Sequence, residues 1–429
     1  MSIIIPLLLL ALLLIFGMPV AFAIGISGSV GLILAGGWEG FTGILLTAPY
    51  ASVKSFLLSA IPMFILMASF MTVSGVMKDL ISAAYKWLGK LPGGLGIASV
   101  FAGAVLGAVS GSSQASAATM ASSVAPEMKK YKHKTPFILG VVSISGTLAV
   151  MIPPSIVLIL YGILTETSVG ALLISGIIPG LLTALGYIVV IFIWVKINPD
   201  IAPKISMNPT TKEKIKSLSS VWPMLIIITA VLGGIYSGII TATEAGAVGA
   251  LITFLVILFM GRFTLAKINQ ALNDAIKAST MILTIIIGAH IFGYYLTMTQ
   301  ITQKLVMFAE GLEVSKYVIL LIIMIVYLIL GLFMDQMAIL ILTLPLTFPI
   351  IMSLGFNPIW FGIIVAKTAE IGLVTPPLGM NVYVASGASG LKTSEGFRGV
   401  KWFVLMDLLV LSILVLFPIL STWLPSQIK

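Results

Sequence analysis

Two polar stretches interrupt otherwise apolar sequence, and they match. The first is SGSSQASAATMASSVAP, Ser110 to Pro126, followed by a double proline at Pro153-Pro154. The second is FMDQMAILILTLPLTFP, Phe333 to Pro349, followed by Pro376-Pro377. A shift of 223 residues places Ser112 on Asp335, Pro126 on Pro349 and one double proline on the other without a gap. A double proline removes backbone donors and disfavours helix in the residue before it. In lipid such a break survives only where protein or a watery cavity surrounds it. Matched breaks in two halves point to the midplane binding site of a secondary transporter. Unwound carbonyls and hydroxyls there suit a small hard cation, and half-helix N-termini suit an anion. The oxygens near the first tip belong to Ser110, Gly111, Ser112, Ser113 and Ser116, with Gln114 among them. Ser145, Gly146 and Thr147 stand before the first double proline, close to Ser143. Such uncharged oxygens fit Na+ better than a divalent ion. The second set is Asp335 and Gln336 at the tip, with Thr368, Gly372 and Thr375 before Pro376. Each serine taken alone is equally a helix cap or a packing residue; the repetition of the set favours a site.

Asp335 carries the sharpest expectation. An acid in a membrane segment costs about 2.5–3.5 kcal/mol on insertion scales, so it should face the protein interior. Lys367 and Glu370, three apart, share a helix face and form either a structural ion pair or an anion attractor. Glu244 and His290 read as satisfied packing residues. The chain has no cysteine and two histidines, His133 and His290, which leaves no Cys- or His-based catalytic or metal cluster. No GxxxxGK[ST] loop occurs, which argues against nucleotide hydrolysis.

The elements that must hold these residues are membrane helices. Charged residues make up 9% and hydrophobic ones 59% of the 429 residues, against about 25% charged in a soluble domain. The first half reads as spans at Ile3–Phe16, Pro19–Ala35 and Phe56–Met77, a looser stretch at Gly36–Lys54, and an amphipathic surface segment at Lys78–Lys90. A re-entrant hairpin follows at Gly94–Pro126, then a broken span at Pro136–Gly162 and a fifth span at Val169–Val195. The second half repeats this with Trp222–Ile239, Ala245–Met260 and Ala275–Thr297. A surface segment (Gln300–Lys316), a hairpin (Tyr317–Met352, turning near Asp335), a broken span (Pro358–Ala388) and a last span (Trp402–Leu424) complete it. A shift of 221 places Gly17, Gly25 and Gly28 on Gly238, Gly246 and Gly249. The fold class is therefore an all-α polytopic membrane protein, an inverted repeat of five spans plus one hairpin each. The units expected are 1–93 (scaffold), 94–168 (hairpin and broken helix), 169–316 (fifth span, linker, scaffold), 317–390 (second hairpin and broken helix) and 391–429 (basic loop and last span).

Five spans per half is an odd number, so the halves must be inverted. With the N-terminus outside, the loops at Lys78–Lys90, Lys129–Lys134, Lys196–Lys216, Arg262–Lys277 and Leu391–Lys401 all face the cytoplasm. Of the 23 Lys and Arg, only Lys54, Lys304, Lys316, Lys367 and Lys429 lie elsewhere. That is the positive-inside pattern of an inner-membrane protein. The net charge of +9 is thereby explained without nucleic acid. The first hairpin then enters from the cytoplasm and the second from the outside.

GMPVAFAIG, SGSSQASAATM, IPPS, TATEAGAVGA, GLFMDQMAILILTLPLTFPI and EIGLVTPPLGMN resemble the large membrane subunit of tripartite ATP-independent periplasmic (TRAP) transporters, the DctM-like family, over essentially the whole chain. The resemblance implies an elevator-type importer driven by a Na+ gradient, with two or more Na+ sites. It implies a periplasmic substrate-binding protein and a small four-helix membrane subunit, expected here as a separate chain. It implies carboxylate substrates such as sialic acids or C4-dicarboxylates. It carries tip and broken-helix roles onto Ser110–Ser116, Ser145–Thr147, Asp335 and Gly372–Asn381. Substrate contacts are expected at Gln114, Pro153, Pro154, Lys367, Pro376, Pro377, Gly379, Met380 and Asn381. A stand-alone divalent anion/Na+ symporter of elevator type is the alternative.

Overall fold

A computed structural model describes residues 3–203, 210–219 and 221–427, apart from the side chain of Val109. Lys204 and Lys429, counted in the charge argument, lie outside the described residues. Every regular element among the described residues is helical, and nine helical segments are long and apolar enough to cross a membrane.

Both hairpins and both broken helices are present. The first hairpin is Gly94–Ser110 and Ser113–Lys130, turning at Gly111 with φ +58°. The second is Lys316–Gly331 and Gln336–Ser353. The first broken helix is Thr135–Met151 and Ile156–Thr165; the second is Pro358–Gly372 and Met380–Ser389. Both double prolines carry a cis peptide bond. Gly17 and Gly238, paired by the 221-residue shift, both adopt the left-handed conformation, with φ +77° and +70°.

Several boundaries differ from the sequence reading. The opening helix, Ile4–Ile15, has 12 residues and so spans about 18 Å, short of a crossing by itself. The stretch expected to be loose is helical: Val20–Val53 runs on past a kink at Gly37, φ +72°. The expected loop at Arg262–Lys277 is instead the start of a continuous helix, Leu265–Met298. The expected basic loop ending at Lys401 is helical from Thr393. The reason is the same in both: Ile268, Ala271 and Ala275, and Gly396, Gly399, Val400 and Phe403, are buried at helical spacing. The exposed basic residues Lys267, Lys277, Arg398 and Lys401 give a loop-like composition without breaking the helix. The amphipathic segments at Val76–Leu88 and Ile301–Gly311 are helices as expected.

The two halves exchange partners. Val20–Val53 of the first half packs along Leu265–Met298 of the second, and Ala242–Phe259 of the second packs along Ala60–Ser74 of the first. Glycines set these crossings. A methyl group on Gly28 would lie 2.7 Å from Phe292 Cα, and one on Gly246 would lie 3.1 Å from Phe64 N. The hairpin groups exchange in the same way. The second arm of the first hairpin packs on the end of the second broken helix, and the second arm of the second hairpin packs on Ile156–Thr165. The fifth span, Ile177–Ile197, and the last, Thr393–Leu416, pack on each other and on the hairpin and broken-helix group. The physical basis is a run of small residues: Gly140 and Gly399 let two backbones meet, and Gly186 accepts Met406.

These close approaches are testable. A methyl group on Gly146 would lie 2.6 Å from Ala117 N and 2.7 Å from the Ser113 carbonyl oxygen, atoms that cannot swing aside. Gly146→Val is expected to cost about 1–3 kcal/mol or more, the range of an overpacked core. Gly387→Ala, with no atom within 4 Å of the new methyl, should be neutral or slightly stabilising. Thermal unfolding of the two purified variants followed by tryptophan fluorescence checks both.

Candidate functional site

The tip of the first hairpin lies between the two helix breaks. A methyl group on Gly111 would lie 3.1 Å from the Pro154 carbonyl oxygen and 2.9 Å from Ile156 Cγ1, so the tip abuts the first break with a carbonyl facing it. Across from it, Asn381 Nδ2 donates to Ser113 Oγ at 2.6 Å and Gln114 Nε2 approaches Met380 Sδ at 3.7 Å. Ser110 and Ser116 share a hydrogen bond of 2.5 Å between their hydroxyls. Ser110, Ser113, Ser116 and Asn381 are all buried. The Asn381 side-chain oxygen makes no hydrogen bond.

Four helices begin at these tips and breaks, and their caps differ. Ser112 accepts from Ala115 N at 3.4 Å and Ser155 from Leu158 N at 3.3 Å. Asp335 accepts from Met337 N at 3.0 Å and Ala338 N at 3.2 Å. Ser112 and Asp335, matched by the 223-residue shift, thus cap equivalent arms. The fourth helix, Met380–Ser389, starts from Gly379, which has φ +50° and no side chain to cap with. Asn381 N bridges the break to the Leu373 carbonyl at 3.0 Å. Pro153 and Pro154 are buried, whereas Pro376, Pro377 and Leu378 are exposed. The second break therefore opens outward beside the uncapped helix, and the first is closed over.

The structure brings together only part of the expected set. Ser145, Gly146 and Thr147 face three different neighbours, because consecutive helix residues point about 100° apart. Ser145 lies against Gly103 of the first arm and donates to its own helix at Val141 O, 2.7 Å. Gly146 meets the second arm, and Thr147 meets Tyr187 Oη at 3.1 Å. Ser143 Oγ is buried without a hydrogen bond. Thr368 and Thr375 donate to carbonyls one turn back, at 2.8 and 2.6 Å. Gly372 packs directly on Gly331 of the second hairpin. Gln336 is buried with its amide nitrogen unpaired. Glu244 closes a capping box with Thr241 and lies at no site.

Lys367 is brought to two carboxylates. It is fully buried, 2.7 Å from Asp407 Oδ1 and 3.2 Å from Glu370 Oε1. Tyr187 Oη donates to the same Asp407 carboxylate at 2.8 and 2.9 Å. Sequence reasoning found the Lys367–Glu370 pair and missed Asp407 and Tyr187. The available signal for Asp407 was a lone acid inside the last apolar helix, of the kind that singled out Asp335.

Residues 7–420 match the model of the tripartite ATP-independent periplasmic transporter DctM component. The chain belongs to the DctM family. It is 38% identical over 379 residues to the C4-dicarboxylate TRAP transporter large permease protein DctM of Pseudomonas aeruginosa, covering 88% of each. It is 30% identical over 418 residues to the sialic acid TRAP transporter large permease protein SiaM of Vibrio cholerae, covering 96% of each. The isethionate TRAP transporter permease protein DctMQ of Oleidesulfovibrio alaskensis matches 97% of this chain at 31% identity, and the match covers 64% of that longer protein. Among solved structures, the Alcanivorax borkumensis YdaH transporter shares the fold, with a TM-score of 0.67 over 98% of both chains at 14% identity. As a DctM component the chain is a multi-pass membrane permease and not an enzyme.

In this permease the Asp335 side chain caps a helix, and that role separates from its charge. Asp335→Ala is expected to lower thermal stability by about 1 kcal/mol, and Asp335→Asn by a few tenths, since Asn caps nearly as well. Unfolding curves of the two variants read the difference. Equal losses would mean that the charge, rather than the cap, is what the tip requires.

Proposed function

We propose that this DctM chain is the transport subunit of a Na+-driven importer that moves a small organic carboxylate from a periplasmic binding protein into the cytoplasm of a bacterium. The observation that carries the reading is the open second break. An exposed Pro376–Leu378 leads to the start of Met380–Ser389, a ten-residue helix with no side-chain cap. Such an N-terminus favours a carboxylate, and Asn381, Gln114 and Gly379 stand around it. Ser110, Ser116 and the Pro154 carbonyl offer neutral oxygens at the first tip, a donor set that fits Na+. Asp335 and Gln336 supply the second tip. Lys367 leaves the substrate set on this reading, because both carboxylates beside it already hold it.

The exchange of partners between halves fits an inverted repeat, with the N-terminus periplasmic and the first hairpin entering from the cytoplasm. The hairpins, the broken helices and the fifth and last spans move together on this account. The helices at 20–53, 56–74, 242–259 and 265–298 form the stationary scaffold that a separate four-helix subunit would extend. A four-carbon dicarboxylate is favoured by the 38% identity to the Pseudomonas aeruginosa permease, and sialic acid is the competing substrate.

The test is uptake of labelled succinate and sialic acid into proteoliposomes holding this chain, its small subunit and the binding protein. Uptake should require both an inward Na+ gradient and the binding protein, and Ser112→Ala with Asp335→Ala should reduce it at least tenfold. Uptake without the binding protein would indicate a stand-alone symporter. Unchanged coupled uptake in the double variant would remove the tips from the mechanism.

A further inference from the structure

The Lys367 cluster has an odd charge count. It holds one ammonium and two carboxylates, Glu370 and Asp407, and all three side chains are 0% exposed. Four helices contribute: the second broken helix gives Lys367 and Glu370, the last span Asp407, the fifth span Tyr187 and the first broken helix Thr147. Tyr187 and Thr147 are also fully buried, and the Lys367 ammonium lies 5.8 Å from the centre of the Tyr187 ring. With every group ionised the cluster would bury a net charge of −1. An unpaired charge in a dry interior is among the costliest features a fold can carry.

Counting hydrogens places the deficit. Asp407 Oδ1 accepts from Lys367 and Tyr187, Asp407 Oδ2 accepts from Tyr187, and Glu370 Oε1 accepts from Lys367. Glu370 Oε2 is buried and accepts nothing. The Thr147 hydroxyl has its own partners, the Ile144 carbonyl at 2.7 Å and Tyr187 Oη at 3.1 Å. Tyr187 commits its hydrogen to Asp407. An ionised Glu370 would leave Oε2 a bare anionic oxygen in a dry interior, whereas a protonated one would remove that charge.

We propose that this cluster is a proton-binding site. One proton, taken from bulk solvent, is held by the Glu370–Asp407 pair and seated on Glu370 Oε2, the one carboxylate oxygen of the cluster without a donor. A metal cation fits less well, because only one cluster oxygen is free and a proton needs only one. Among the described residues no group of three or more His, Cys, Asp or Glu could hold a metal ion. The proton belongs to the coupled pair rather than to one residue; geometry selects its seat. Lys367 on the same helix, Asp407 on the last span and Tyr187 on the fifth span are the titratable groups facing Glu370. The site is separate from the hairpin tips and joins both broken helices to the two spans packed on them. Its loss of the proton would restore the buried negative charge and loosen those four helices from one another.

Infrared spectroscopy of the purified full chain reads the proton directly. A carbonyl stretch of a protonated carboxyl is expected at pH 7 in the unaltered protein. It should be lost in Glu370→Gln. Absence of the band in the unaltered protein overturns the proposal, as does a band that survives Glu370→Gln unchanged. This measurement needs no transport, so it stands or falls separately from the importer reading. On that reading, uptake should fall as the pH is raised, and Glu370→Gln should remove the fall; an equal fall in the variant would show that the proton does not govern transport.

Discussion

Breaking a helix inside a membrane frees backbone groups that lipid cannot satisfy. The rest of this structure depends on that constraint. Two hairpin turns and two unwound segments interrupt the chain; three of the four are capped by side chains, and the second break is left exposed at Pro376–Leu378. Ser112, Ser155 and Asp335 cap three of the new helix starts. Asn381 N spans the longer gap to Leu373. Gly111, Gly146, Gly331 and Gly372 let neighbouring backbones come close enough to exclude lipid. Only the start at Gly379 lacks a side-chain cap, and it stands beside the exposed stretch.

Exchange between the halves follows from the same constraint. A broken helix cannot cover its own gap, so the gap is covered by a hairpin arm, and the arms come from both halves. The buried ion cluster adds a polar link on top of this packing. It ties the first broken helix, the second, the fifth span and the last span through Thr147, Lys367, Tyr187 and Asp407. Separating Lys367 from Asp407 would strand a buried charge, which holds the second broken helix to the last span. The scaffold helices share no such polar link with them among the described residues. Apolar packing, and a cavity of about 360 Å³ lined by Ala289, His290, Leu344 and Phe348, separate the two groups.

Much of this was legible in the sequence because it is local or periodic. The 223-residue shift pairs Ser112 with Asp335, which cap equivalent arms, and the 221-residue shift pairs Gly17 with Gly238, which are both left-handed. The double prolines marked both breaks. What escaped was set by partners distant in the chain. Asp407 and Tyr187 acquire meaning only when Lys367 arrives between them. The helices beginning at Leu265 and Thr393 carry exposed basic residues, and their buried stripe was masked by that composition. Ser145, Gly146 and Thr147 were grouped because they are adjacent, although a helix must point them in different directions.

Sliding of the hairpin group against the scaffold is the central claim, and the absence of native cysteine makes it directly measurable. A bifunctional thiol reagent would join Ala289→Cys on the scaffold to Leu344→Cys on the second hairpin, two positions that line one cavity. The same reagent would join Gly186→Cys to Met406→Cys, which pack together inside the moving group. The account predicts that the first cross-link stops Na+-driven uptake in proteoliposomes and that the second leaves it intact. Full uptake with the scaffold-to-hairpin link in place would contradict it.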